Sequence, residues 1–173
     1  NNGQVLWSSN VSGTLLTSGT DFFKTSGIVI DNNNIFLSTK SSFFSYNIDN
    51  GVLNWEKNLN SSSLPIIDKE NIFLVTDNGY FVILDKKNGE IISSSNILKV
   101  LKKKKKDTSV TGFIMGSGKI YSVTLNGYLI VTSATTGITE SVKKIGETIM
   151  SPPIVNNETL FILTKSSKIY GFN

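Results

Sequence analysis

An all-β fold, made of one four-stranded antiparallel unit used repeatedly, is what this sequence predicts, and three observations predict it. Apolar dipeptides recur in like settings at Ile35-Phe36, Ile72-Phe73, Ile120-Tyr121 and Leu160-Phe161, spaced by 37, 48 and 40 residues. Each is followed by a Thr and a short polar turn: Thr39-Lys40-Ser41-Ser42, Thr76-Asp77-Asn78-Gly79, Thr124-Leu125-Asn126-Gly127 and Thr164-Lys165-Ser166-Ser167. Three of the turns lead, through another β-rich run, to a second glycine (Gly51, Gly89, Gly137) at distances of 9, 10 and 10 residues from the turn's end. Repeats of about 40 residues, each holding four short strands, are the signature of propeller blades.

The elements follow in chain order. In the first blade (residues 26–59) the strands are Ser26–Ile30, Ile35–Thr39, Phe43–Ile48 and Val52–Asn58, joined by Asn- and Asp-rich turns that supply left-handed backbone positions. The second blade (60–98) repeats this with Leu64–Ile67, Asn71–Thr76, Tyr80–Asp85 and Glu90–Ser95. The third (99–145) uses Val110–Met115, Lys119–Thr124, Tyr128–Ser133 and Ile138–Lys143. The fourth (146–173) supplies Pro152–Val155, Thr159–Thr164 and Lys168–Phe172, with prolines placed where a strand starts. No helix of ordinary length is expected; Asn96–Lys106 has room for a turn or two.

A strand for the fourth blade stands at the other end of the chain. Joining Asn173 to Asn1 puts Gly3 nine positions after Ser167, as Gly51 is nine after Ser42. Gly3-Gln4-Val5-Leu6-Trp7 also matches Gly51-Val52-Leu53-Asn54-Trp55. Residues 3–9 are therefore expected to complete the last blade, in half of an eight-bladed ring completed by a second copy or by another half. The chain opens on Asn1-Asn2-Gly3 with neither Met nor an apolar leader, so it is expected to be a processed or trimmed piece of a longer one.

Composition removes whole classes of chemistry. With no Cys and no His there is no disulfide, thiol nucleophile, Cys/His zinc site or His-based triad. All 17 basic residues are lysine, so no guanidinium fork is present to read phosphates or base edges, which counts against specific nucleic-acid binding. The net charge of +4 rests on the run Lys102–Lys106; without it the chain is slightly acidic. No apolar run is long enough to span a bilayer.

The segment Asn47-Ile48-Asp49-Asn50-Gly51-Val52-Leu53-Asn54-Trp55 resembles the tryptophan-docking motif of quinoprotein-type (PQQ-like) repeats, roughly Ala-x-Asp-x-x-Thr-Gly-x-x-x-Trp. Asp85 keeps the motif's acid, and Thr136-Gly137 its Thr-Gly; Ser93 and Ser141 stand for two tryptophans, and Asn47 and Ser133 for two acids. The resemblance implies that Gly3, Trp7, Gly51, Trp55, Gly89 and Gly137 are structural interblade docking residues, not ligand platforms. The Gly-Tyr-Leu-Ile strand at Gly127–Ile130, the Ser-Pro-Pro strand start at Ser151–Pro153 and the basic insertion Lys99–Lys106 resemble the C-terminal half of the BamB-type outer-membrane assembly lipoproteins. It implies a non-enzymatic, periplasmic protein-binding scaffold, tethered by a lipid outside this chain and partnered with the barrel-assembly machine. Contact loops of that kind lie in the family's N-terminal half, so no interface residue carries over.

Other motifs read as structure. Lys102, Lys103, Lys104, Lys105 and Lys106 are a candidate contact for an anionic surface, weighed against a solvated loop. Asp77-Asn78-Gly79 hints at a calcium loop but is followed by too few oxygen ligands, and Asp68 with Glu70 has no partner carboxylate. Phe22-Phe23 and Phe43-Phe44 are each expected to be core plus one exposed ring. There is no Gly-x-Ser-x-Gly elbow and no P-loop, and no particular Ser-Lys pair stands out. Neither a catalytic residue nor a metal ligand nor a cofactor is expected. Two alternatives remain: a remnant of a PQQ-dependent dehydrogenase, and a surface or sensor propeller of unknown partner.

Overall fold

The computed structural model describes residues 2–11, 26–39, 41–105 and 108–173, and of 102–105 the backbone. It is all-β. The first blade holds β1 (Val29–Asp31), β2 (Asn34–Ser38), β3 (Phe43–Asn47) and β4 (Leu53–Lys57) in that spatial order. The second holds β5 (Ile66–Asp68), β6 (Asn71–Val75), β7 (Tyr80–Asp85) and β8 (Ile91–Asn96). The third holds β9 (Val110–Gly116), β10 (Lys119–Thr124), β11 (Tyr128–Ser133) and β12 (Thr139–Lys144). The fourth has three strands, β13 (Ile154–Asn156), β14 (Thr159–Leu163) and β15 (Ile169–Phe172). All pairings are antiparallel meanders, and the sheets form no closed ring.

The core lies between blades. Phe36, Phe43 and Trp55 of the first meet Ile72, Leu74, Val82 and Leu84 of the second. Phe73, Val75, Phe81 and Ile83 of the second meet Phe113, Ile120 and Ile130 of the third. Val123 and Leu129 of the third meet Leu160 and Ile162 of the fourth. The second blade is therefore covered on both faces, which is why β6 reads as the unbroken run Ile72-Phe73-Leu74-Val75 and shows no alternation. Phe43 and Phe44 are both buried, against the expectation of one exposed ring, because adjacent residues point to opposite faces and both faces have a cover. Phe22-Phe23 lies outside the described residues.

Two turns per blade hold the meander. In the inner one the Thr hydroxyl accepts the backbone N–H that closes the turn: Thr39 from Ser42 (3.2 Å), Thr76 from Tyr80 (2.9 Å), Thr124 from Tyr128 (3.1 Å) and Thr164 from Lys168 (3.4 Å). Gly79 and Gly127 take the left-handed position of that turn at φ 79° and 75°, and Ser167 takes it in the fourth blade at φ 62°. Pro152 and Pro153 precede β13 and do not belong to it, and Pro152 packs where a Cβ on Gly112 would lie, joining the third and fourth blades.

The basic insertion is more ordered than a turn or two. Ile97–Lys105 is a 3-10 helical segment whose Ile97, Leu98 and Leu101 are buried in the core between blades two and three. Lys102–Lys105 fall within it, while Lys106 lies outside the described residues. Residues 2–11 carry no strand assignment in this chain.

Candidate functional site

The repeated feature that could bind anything is the socket at each outer hairpin, and it is built locally. Four residues before each glycine, a side-chain oxygen caps the turn. Asn47 Oδ1 accepts from the N–H groups of Asp49 and Asn50 at 2.9 and 3.2 Å. Asp85 Oδ1 accepts from Lys87 and Asn88 at 2.8 and 3.1 Å, and Ser133 Oγ from Thr136 at 3.2 Å. The position needs an acceptor, not a charge, so Asn and Ser serve there as well as Asp. The glycine then turns left-handed, with φ of 68°, 68° and 69° at Gly51, Gly89 and Gly137.

Into the turn at Gly51 the N-terminal segment pushes a tryptophan, and into that at Gly89 strand β4 of the preceding blade does the same. A Cβ on Gly51 would lie 2.4 Å from Cε3 of Trp7, and one on Gly89 2.7 Å from Cε3 of Trp55. Trp7 Nε1–H donates to the Ile48 carbonyl at 2.8 Å, and Trp55 Nε1–H to that of Lys86 at 3.3 Å. Trp55 is also buried against the rings of Phe36 and Phe43, at 6.0 and 5.6 Å between centroids. Where Ser93 stands for tryptophan, Ser95 faces Gly137 and donates Oγ–H to its carbonyl at 2.8 Å. Ser9 does the same to Gly51 at 2.5 Å. The outer pairing slips at one place in all three complete blades, between Ser45/Tyr46, Ile83/Leu84 and Val131/Thr132, which inserts Asn54, Ile92 or Glu140 just before the tryptophan position. Such a bulge re-aims the side chain that follows it. An ion pair ties the same joint from the inner side: Lys86 Nζ lies 2.9 Å from Asp31 of the first blade, and that hydrogen bond raises the lysine's pKa.

Between the third and fourth blades the socket is open. Ser141 and Lys143 occupy the positions of Trp55 and Lys57, and with Tyr121, Val131, Phe172 and Asn173 they line a groove of about 550 Å³. The Lys143 ammonium rests over the Phe172 ring, 4.5 Å from its centre.

One polar constellation escapes a reading of the sequence alone. Glu147 accepts hydrogen bonds from Thr164 Oγ1 (2.9 Å), Lys168 Nζ (2.8 Å), Tyr170 OH (2.9 Å) and Ser166 Oγ. These donors, the lysine foremost, lower the carboxyl from an ordinary 4.5 to about 2. The same bond raises Lys168, so its amine stays protonated and cannot serve as a base for Ser166. The cluster clamps the last blade and is not a nucleophile. Its one signal is the alternation Thr164-x-Ser166-x-Lys168-x-Tyr170, which puts four donors on one face.

The remaining candidates do not assemble. Both Asp77 oxygens are taken by Ser62, through its N–H at 2.8 Å and its hydroxyl at 2.9 Å, so the turn is not a calcium loop. Among the described residues no group of three or more acidic side chains converges. Among those residues no helix is long and apolar enough to cross a membrane.

Four-stranded blades joined by tryptophan–glycine sockets define a β-propeller of PQQ-like repeats. The chain belongs to the family described as outer membrane protein assembly factor BamB, whose model matches residues 1–95. Among solved structures it is similar to BamB from Moraxella catarrhalis, at 16% identity and a TM-score of 0.66, over 84% of this chain and 44% of that one. It is similar to the computationally designed Ika4 protein, at 12% identity and a TM-score of 0.70, over 98% of both chains. It is also similar to the quinohemoprotein alcohol dehydrogenase ADHIIG from Pseudomonas putida HK5, at 14% identity and a TM-score of 0.68, over 83% of this chain and 28% of that one. The chain thus spans under half the length of the BamB structure it matches. No curated protein matches the sequence.

Proposed function

We propose that this chain is a non-enzymatic protein-binding scaffold of the BamB type, acting in the periplasm in the assembly of β-barrel proteins into the outer membrane. Membership of the BamB family carries the reading. Two features support it: no acidic cluster converges among the described residues, and Phe36, Phe43 and Trp55 are buried between blades, out of reach of a ligand. In this reading Trp7 and Trp55 act as wedges seated on Gly51 and Gly89, and Gly137 and Gly3 complete the same set of docking positions. The partner is the barrel-inserting subunit of the assembly machine, reached by a protein anchored through a lipid outside this chain.

The experiment is calorimetry of the chain with PQQ and calcium. No saturable binding is the expected result. Saturable micromolar binding of PQQ overturns the scaffold reading in favour of a dehydrogenase remnant.

A further inference from the structure

The turns of this fold fall on two faces. Inner turns and the connections between blades share one, where the N–H groups of Val110, Leu125 and Lys165 donate to the carbonyls of Asp77, Ser109 and Thr148. The remaining turns share the opposite face, where Ile48 donates to Asn33, Lys86 to Glu70 and Ala134 to Gly118. Charge divides between them. The opposite face carries more carboxylates than lysines, with Asp49, Asp68, Glu70, Glu90 and Glu158 exposed. The first carries Lys99, Lys102–Lys105, Lys144 and Lys165, against Asp77 and Glu147 in its described turns and connections, and Glu147 is paired with Lys168.

The lysine run is held in place on that face. Ile97 N–H donates to the Gly79 carbonyl at 2.9 Å, Leu98 fills the space beside Gly79, and β12 packs against the segment from the next blade. Its backbone through Lys105 thus lies between blades two and three, with a blade on either side. Blades added to a propeller extend the ring sideways, so they leave the ends of these strands uncovered. Apolar side chains stand among the lysines: Val100 of the same segment is 42% exposed, and Met150 of the next connection 64%. Cations around exposed apolar side chains suit a layer of anionic headgroups over hydrocarbon. A phosphate backbone has no apolar layer to receive Val100 and Met150, and lysine without arginine lacks the fork that grips phosphate oxygens in pairs.

We infer that this face docks on an anionic lipid surface, with the Lys102–Lys105 segment at its centre and Val100 and Met150 entering the headgroup layer. The same surface repels the acidic opposite face, so the charges also set which way the blades lie.

The test is cosedimentation of the 173-residue chain with vesicles of equal parts phosphatidylglycerol and phosphatidylcholine. Partition onto them should exceed that onto phosphatidylcholine alone by at least about tenfold at low salt, and the excess should vanish at about 0.5 M salt. Two variants matched in charge then locate the contact. Lys103→Gln with Lys104→Gln should weaken binding at least about tenfold, whereas Lys69→Gln with Lys87→Gln, on the acidic face, should change it by less than about twofold. Val100→Ser with Met150→Ser should weaken it at least about threefold. All three should keep the circular dichroism of the parent chain. No excess on the anionic vesicles overturns the inference. So do equal losses from the two lysine pairs, since net charge and not this face would then bind. Binding indifferent to the Val100 and Met150 changes overturns the lipid assignment in favour of a plain polyanion.

Discussion

Replacing Gly89 by Ala tests whether the sockets hold the blades together, because the structure supplies its own control. Gly118 has φ 71°, against 68° at Gly89, but a Cβ on Gly118 would meet nothing within 4 Å. Both substitutions force an alanine into the left-handed region, at about 1–2 kcal/mol. Only the one at Gly89 also drives a methyl to 2.7 Å from Cε3 and 2.8 Å from Cδ2 of Trp55. The indole is wedged against Phe36 and Phe43 and has no open side to rotate into, so the blades must part by roughly an ångström, an overpacking that costs about 1–3 kcal/mol. The hydrogen bond from Trp55 Nε1 to Lys86, already 3.3 Å long, goes with it, for about another 0.5–1.5 kcal/mol. Gly89→Ala should therefore lose about 2–4 kcal/mol more than Gly118→Ala in urea unfolding. Equal losses in the two variants would refute the argument, since the contact would then hold nothing.

Three further outcomes follow from the same geometry. Trp55→Ala should lose about 3–5 kcal/mol in denaturant melts, the range for emptying a buried aromatic site, and a loss under about 1 kcal/mol would mean the ring is not a wedge. Asn47→Asp should change stability by less than about 0.5 kcal/mol while Asn47→Ala loses about 1–2 kcal/mol, as read from midpoint shifts, because the turn asks for an acceptor and not for charge. Glu147 has a folded pKa of about 2 against an ordinary 4.5, so it contributes stability above about 4.5 that is lost as pH falls towards 2. Glu147→Gln should accordingly be less stable than the parent chain at neutral pH, and thermal melts should show the gap closing between those two values. A gap that stays constant across the window would contradict the clamp.

What is legible in the sequence is what repeats locally. The Thr that closes each inner turn and the glycine that opens each outer one act within a few residues of themselves, so their spacing places the strands closely. Most strand assignments need only trimming at their ends, as in β1, where Ser26 bonds to Ser38 without extending the ladder. What is not legible depends on partners far along the chain. The bulge before the tryptophan position is filled by Asn54, Ile92 or Glu140, three residue types with nothing in common, so no composition signal marks it. Glu147 needs four donors 17 to 23 residues away. The 3-10 segment does carry a signal, since Ile97, Leu98 and Leu101 stand at helical spacing, but the lysine run beside them masks it with charge.

That segment changes how the blades behave as a row of hinges. Blades one and two are held by an indole, while the socket between blades two and three holds Ser95 in its place. There Ile97, Leu98 and Leu101 act as a dowel across the top, with Leu98 filling the space a Cβ on Gly79 would need. The outer joint between blades three and four has, among the described residues, neither indole nor dowel, and Lys143 resting on Phe172 stands in for both. The three joints are therefore fastened by three different devices, and the last is held from within, by Pro152 against Gly112 and by Val123 and Leu129 against Leu160 and Ile162.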